Sequence, residues 1–69
     1  MAQLSARNQL RGTVKSIKKD GLMAEVVLDV AGQEVVAVIT ADSVRRLNLE
    51  TGQEVFAVIK ATEVMVAKP

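Results

Sequence analysis

The chain contains no cysteine and no histidine. Disulfide staples and thiolate nucleophiles are therefore excluded, together with the usual zinc ligand sets and the commonest general base of catalysis. Tryptophan and tyrosine are also absent, and Phe56 is the single aromatic residue, so no run of rings exists on which nucleotide bases could stack. Charge of one sign is missing too. Nine Lys and Arg oppose eight Asp and Glu, a formal net of +1, unlike the basic surplus of most nucleic-acid binders. No apolar stretch approaches the roughly 18 to 20 residues of a membrane helix, and the opening "MAQLSARNQL" lacks the apolar run of a secretory signal. Neither a nucleic-acid nor a membrane partner is expected, and a cytoplasmic location is the default.

What is present is mostly Val, Ala, Leu and Ile, in a chain of 69 residues that is 49% hydrophobic. Residues 1–69 are expected to form one small domain whose core is marginal on its own. With staples and metals excluded, contact with other chains is the remaining source of buried area.

The pattern along the chain is that of short strands. In "QLRGTVKSIK" Leu10, Gly12 and Val14 share one side, and the alternation slips at Ser16-Ile17 as at a β-bulge. "KKDG" is a turn, and from Leu22 to Val30 every even position is apolar. "AGQ" at 31–33 is a hairpin turn into a strand from Glu34 to Thr40. "TADSVRRLNL" changes period: Thr40 or Asp42 caps a short helix with Val44 and Leu47 on one face. After the turn "ETGQ" a further strand runs from Glu54 to Lys60, and "MVA" at 65–67 reads as a short closing strand. The expected fold is all-β: a small five-stranded OB-like barrel with one short helix after the third strand.

One stretch nearly repeats. "GQEVVAVIT" at 32–40 returns as "GQEVFAVIK" at 52–60. In both copies each face is apolar: Val35, Ala37 and Ile39 are backed by Val36 and Val38, and Val55, Ala57 and Ile59 by Phe56 and Val58. Antiparallel sheets in small monomers normally keep one face polar. Either helix and termini cover the outside of a closed barrel, or a homo-oligomer does; the second is favoured.

The chemical inventory argues against an enzyme. The eight carboxylates fall singly beside turns or on alternating faces, so no pair is set up for acid/base work. Donors are more informative, and they stand at element ends: Ser5 and Arg7 in "SARNQL", Thr40 and Ser43 in "TADSV", and Lys60 after the repeated strand. Backbone N–H groups at a helix start favour an anion; plain N-capping by Thr40 explains the same residues. If the repeated strands share a barrel, or pair between subunits, Thr40 and Lys60 emerge from equivalent ends and the lysine adds its charge.

"SARNQLRGTV", "ITADSV" and "VIKATEVMVA" together resemble the molbindin family, small molybdate-binding proteins of a single Mop or TOBE-type domain, also called molybdenum-pterin-binding proteins. The resemblance spans residues 5–67 with the motifs in family order. It implies an OB-like barrel assembled as a homo-oligomer, a hexamer built as a trimer of dimers, that stores or buffers the oxyanion at sites between subunits. By motif, Ser5, Arg7, Thr40, Ser43 and Lys60 would hold molybdate, or tungstate in its place. Many relatives carry Ser after that lysine, whereas this chain has Ala61, which keeps only its backbone N–H. That departure sustains an alternative, an OB-like interaction or regulatory module with a vestigial anion site.

The inventory suits such a guest. At neutral pH molybdate, tungstate and sulfate are tetrahedral dianions that only accept hydrogen bonds, and hydroxyls, N–H groups and a lysine only need to donate. Hydrogen bonds to a charged group contribute about 1.5–3 kcal/mol each. Four or five of them reach micromolar affinity, about −8 kcal/mol, after association costs. Asp42 is expected to point outward, since turned inward it would repel the ligand.

Overall fold

β-Branched residues at every second position drive the middle of the chain into strands. The structure, a computed structural model, describes residues 4–69. Strands β1 (Asn8–Asp20), β2 (Met23–Val30) and β3 (Gln33–Thr40) are followed by helix α1 (Ala41–Arg46), strand β4 (Glu54–Ile59) and a 3-10 turn at Ala61–Glu63. The four strands form one antiparallel sheet in the order β3-β2-β1-β4.

β1 organises the sheet because it serves two partners. Its first half, Asn8 to Thr13, pairs with β4, and its second half, Thr13 to Asp20, pairs with β2. A register shift between Val14 and Ser16 leaves Lys15 as the extra, bulged residue, one position before the slip expected from the sequence. The bulge exchanges the faces of β1: Val14 lies opposite Leu28, but beyond it Ile17 lies opposite Val26. Both halves thus keep an apolar residue inside while the strand bends. The Lys15 ammonium meets the Glu34 carboxylate, whose hydrogen bond and charge raise the lysine pKa above its ordinary 10.5.

At Gly12, two residues before Val14, β2 approaches β1 closely. A Cβ there would lie 2.8 Å from the Asp29 carbonyl oxygen and 2.9 Å from Val30 Cγ2. At the β2–β3 hairpin, Ala31 (φ 52°) and Gly32 (φ 84°) both take positive φ, as a two-residue type I′ turn requires. The Gly32 N–H donates to Asp29 Oδ1 at 2.9 Å.

Curling brings one face of every strand around a small core of Val14, Ala24, Val26, Leu28 and Ala57, with Val44 of α1 closing one end. Each valine or leucine among them contributes about 1.5–3 kcal/mol when fully buried, and among the described residues these six are the buried hydrophobic side chains. The core is correspondingly slight. On the outer face Val36, Val38 and Val58 stay 55%, 63% and 45% exposed, and Arg11 lies over the Phe56 ring, 5.4 Å from its centroid.

Two expectations are corrected. The sheet has four strands rather than five, because residues 64–69 follow the 3-10 turn outward and are exposed instead of returning to the sheet. β3 and β4 consequently have no strand between them, and the barrel is open along that seam.

Gly12→Ala is expected to lower stability by about 1–3 kcal/mol, since backbone and not a flexible side chain must yield. A fall in the urea midpoint with unchanged slope would register it; an unaltered midpoint would show that the bend tolerates a methyl group.

Candidate functional site

The predicted donors fall into two groups at opposite ends of the sheet. One lies where β3 hands over to α1. Thr40 is the N-cap (φ −72°, ψ 148°). Its Oγ1 accepts from the Ser43 N–H at 3.0 Å, and its hydroxyl donates to Ser43 Oγ at 2.8 Å. The Ala41 N–H donates to the Leu22 carbonyl in the β1–β2 turn at 2.8 Å, which pins the helix start. Two of the first three helical N–H groups are thus already bound, and a helix of six residues has only a small dipole. The capping reading of Thr40 is the one realised in this chain. The Ser43 hydroxyl keeps its own proton to donate, and the Asp42 N–H makes no hydrogen bond among the described residues. Asp42 faces away, as expected, bridged to Arg45 and, at 3.8 Å, to Arg46.

The second group lies where β1 begins and β4 ends. Asn8 pairs with Ile59, and its side-chain amide donates to the Ile59 carbonyl at 3.2 Å, tying the two strand ends together. Arg7 and Lys60 are the next residues outward on the two strands, Ser5 lies two further out, and Ala61 opens the 3-10 turn. All four are exposed. Among the described residues no carboxylate comes within ion-pair distance of Arg7 or Lys60; the ion pairs use Arg11, Lys15, Arg45 and Arg46. Arg7 and Lys60 thus flank the Asn8–Ile59 pair as cations without a carboxylate partner among the described residues. Asn8 and Leu22, which fix the two ends, are missed by motif reasoning. An Asn at a strand's first position, beside a cation, is the signal for the former; a carbonyl acceptor such as that of Leu22 leaves no signal in a sequence.

The repeated strands require a correction. β3 and β4 are the two edges of the sheet and run antiparallel to one another. Within one chain Thr40 and Lys60 emerge from opposite ends, not equivalent ones. β1 connects those ends with 13 residues, a contour of roughly 40 Å at about 3.3 Å per residue. One chain by itself brings no ligand into contact with both groups.

An open, curled β-sheet with one interposed helix defines a small OB-like domain. The chain belongs to the TOBE domain family, whose pattern matches residues 4–66. It is 48% identical over 64 residues to molybdenum-pterin-binding protein 1 of Clostridium pasteurianum, spanning 91% of this chain and 94% of that one. Its fold is similar to that of a molybdate-binding protein from Sporomusa ovata, with a TM-score of 0.93 and 49% identity over 97% of this chain and 100% of the other. It is also similar to the cytoplasmic molybdate-binding protein ModG with molybdate bound, with a TM-score of 0.81 and 44% identity over 87% of this chain and 43% of ModG. The family is one of binding proteins, and the resemblance drawn from the three motifs is borne out. Among the described residues no helix is long and apolar enough to cross a membrane.

Because the Thr40 hydroxyl is engaged in capping, Thr40→Ala should cost about 1 kcal/mol of stability, while Thr40→Ser should cost a few tenths. Thermal or chemical unfolding of the two variants measures this, and equal losses would mean that the methyl group rather than the hydroxyl matters.

Proposed function

We propose that this protein binds molybdate, with tungstate as an alternative guest, without catalysis, at sites formed between copies of the chain. Its role is cytoplasmic storage or homeostasis of the oxyanion by a single TOBE-type domain of residues 1–69 assembled as a hexamer. Ser5, Arg7, Lys60 and Ala61 of one copy and Thr40 and Ser43 of another form each site. The observation that carries this reading is the separation of two donor groups to opposite ends of one sheet, in a chain whose relatives are molybdate-binding proteins. The residues assigned to the site are hydroxyls, N–H groups and cations without a carboxylate among them, which favours a fully deprotonated dianion over a protonated phosphate. The exposed valines of the outer face supply the apolar area for assembly.

Lys60 contributes the full charge. Lys60→Ala should weaken molybdate binding by roughly ten- to a hundredfold, from about 1.5–3 kcal/mol for a charged hydrogen bond, with the far-ultraviolet circular dichroism unchanged. Isothermal titration tests this, with sulfate as competitor, and an unaltered affinity would remove Lys60 from the site. Ala61 supplies only its N–H, so Ala61→Ser should tighten binding by about two- to tenfold, the worth of one added neutral hydrogen bond. The reading of a vestigial anion site in an interaction module expects instead that neither the natural chain nor the serine variant takes up molybdate, which native mass spectrometry after incubation with the oxyanion would reveal.

A further inference from the structure

Arg7 and Lys60 lie one residue beyond the last rung between β1 and β4, the Asn8–Ile59 pair. Continuing that register sets the two cations opposite one another, and like charges directly opposite on paired strands repel. The ladder gives no help there: among the described residues no backbone hydrogen bond joins 4–7 to 60–69. Two neighbouring carboxamides take its place. The Asn8 side-chain amide donates to the Ile59 carbonyl at 3.2 Å, and the Gln9 side-chain amide donates to the Ala6 carbonyl at 3.3 Å. A carbonyl oxygen shares one plane with the N–H and Cα of the following residue. Holding the Ile59 oxygen therefore holds the N–H and Cα of Lys60, and holding the Ala6 oxygen holds those of Arg7. The far side of Lys60 is fixed as well, since its carbonyl accepts from the Glu63 N–H at 2.9 Å. Asn8 and Gln9 are partly buried, whereas the cations they set are exposed. Gln9 Oε1 is buried without a hydrogen-bond partner among the described residues. The Ala6 carbonyl alone thus orients that amide, against the penalty that an unmet buried acceptor carries.

The geometry points to Asn8 and Gln9 as a pair of positioning residues for oxyanion capture, Asn8 acting through Lys60 and Gln9 through Arg7. Without a guest, repulsion drives the two cations apart. Their side chains relieve it by swinging into solvent, but the backbone atoms from which they start are held by the two amides. The work of bringing like charges together is then done by folding, and an arriving dianion meets both cations rooted on its own side, which is how preorganisation strengthens binding. A carboxamide is suited to this task because it donates to a carbonyl and carries no charge. Asp or Glu in its place would neutralise the cations, and Lys or Arg would add to the repulsion. The inference rests on the oxyanion reading above and adds to it the residues that organise the donors without themselves touching the guest.

The test is calorimetric titration of the full chain with molybdate. Asn8→Ala and Gln9→Ala are each made in the natural, Lys60→Ala and Arg7→Ala backgrounds, at protein concentrations where every variant sediments as the natural chain does. Each amide change alone should weaken binding about two- to tenfold, the worth of one neutral hydrogen bond. Coupling should follow the bonds. Asn8→Ala should lose most of its effect where Lys60 is already alanine, and Gln9→Ala where Arg7 is, while the crossed pairs stay nearer to additive. A role in folding alone would give the same factor in every background. Should Asn8→Ala fail to fold, Asn8→Ser, which shortens the donor but keeps a polar side chain, takes its place in the same cycle. Each amide stands or falls on its own pair: an unchanged affinity, or an equal factor in all three backgrounds, overturns its assignment. A natural chain that binds molybdate and loses affinity in Lys60→Ala, with no coupling to either amide, overturns this inference alone. A natural chain that takes up no molybdate overturns the oxyanion reading and this inference with it.

Discussion

The structure depends on the way one strand is shared. β1 gives its first half to β4 and its second half to β2, and the bulge at Lys15 with the bare Cα of Gly12 allows it to bend between them. Hydrogen-bond pairing cannot otherwise curl four strands over so few buried side chains. That sharing leaves β3 and β4 as edges, fixes their opposite directions, and so sends Thr40 and Lys60 to opposite ends. The geometry of the candidate site is thus set by the register of the sheet, before any ligand chemistry enters.

The elements were legible because their periods are clean. Even-numbered apolar positions from Leu22 to Val30, the Ala31-Gly32 turn, and Thr40 with Ser43 before Val44 each carry a local physical cause, and each appears within about a residue of its expected bounds. The destination of "MVA" was not legible. Alternation states that a segment suits a sheet but not which edge receives it, since edges are made by distant residues. Similarly, the repeat of "GQEVVAVIT" suggested equivalent strand ends, yet equal sequence does not imply equal direction. Direction follows from the number of hairpins between the copies, and the α1 crossover to the other side of β1 reverses it.

For the site, residue types were legible and their grouping was not. Ser5, Arg7, Lys60 and Ala61 are separated by more than fifty positions of sequence, yet the pairing of Asn8 with Ile59 brings them to one end. Thr40 and Ser43 were attributed to an anion through free N–H groups, but the cap and the Leu22 carbonyl already use those of Ser43 and Ala41. Their remaining contribution is hydroxyl and side-chain geometry held in place by capping. Asp42, the acid beside Thr40 and Ser43 that could oppose a dianion, is neutralised by two arginines of its own helix.

A divided site has a thermodynamic consequence for the proposed function. A ligand that touches both donor groups binds only the assembled state, so it stabilises assembly by the same free energy with which assembly strengthens its binding. Oxyanion affinity would then rise with protein concentration until association is complete and become constant beyond it. A site contained in one chain would show no such dependence. The slight core of the isolated chain and the open seam push in the same direction, because contact with a second copy covers apolar surface that the small core leaves outside. Fold stability, assembly and anion capture are in this reading three aspects of one interface, and the separation of Thr40 from Lys60 within the sheet is what couples them.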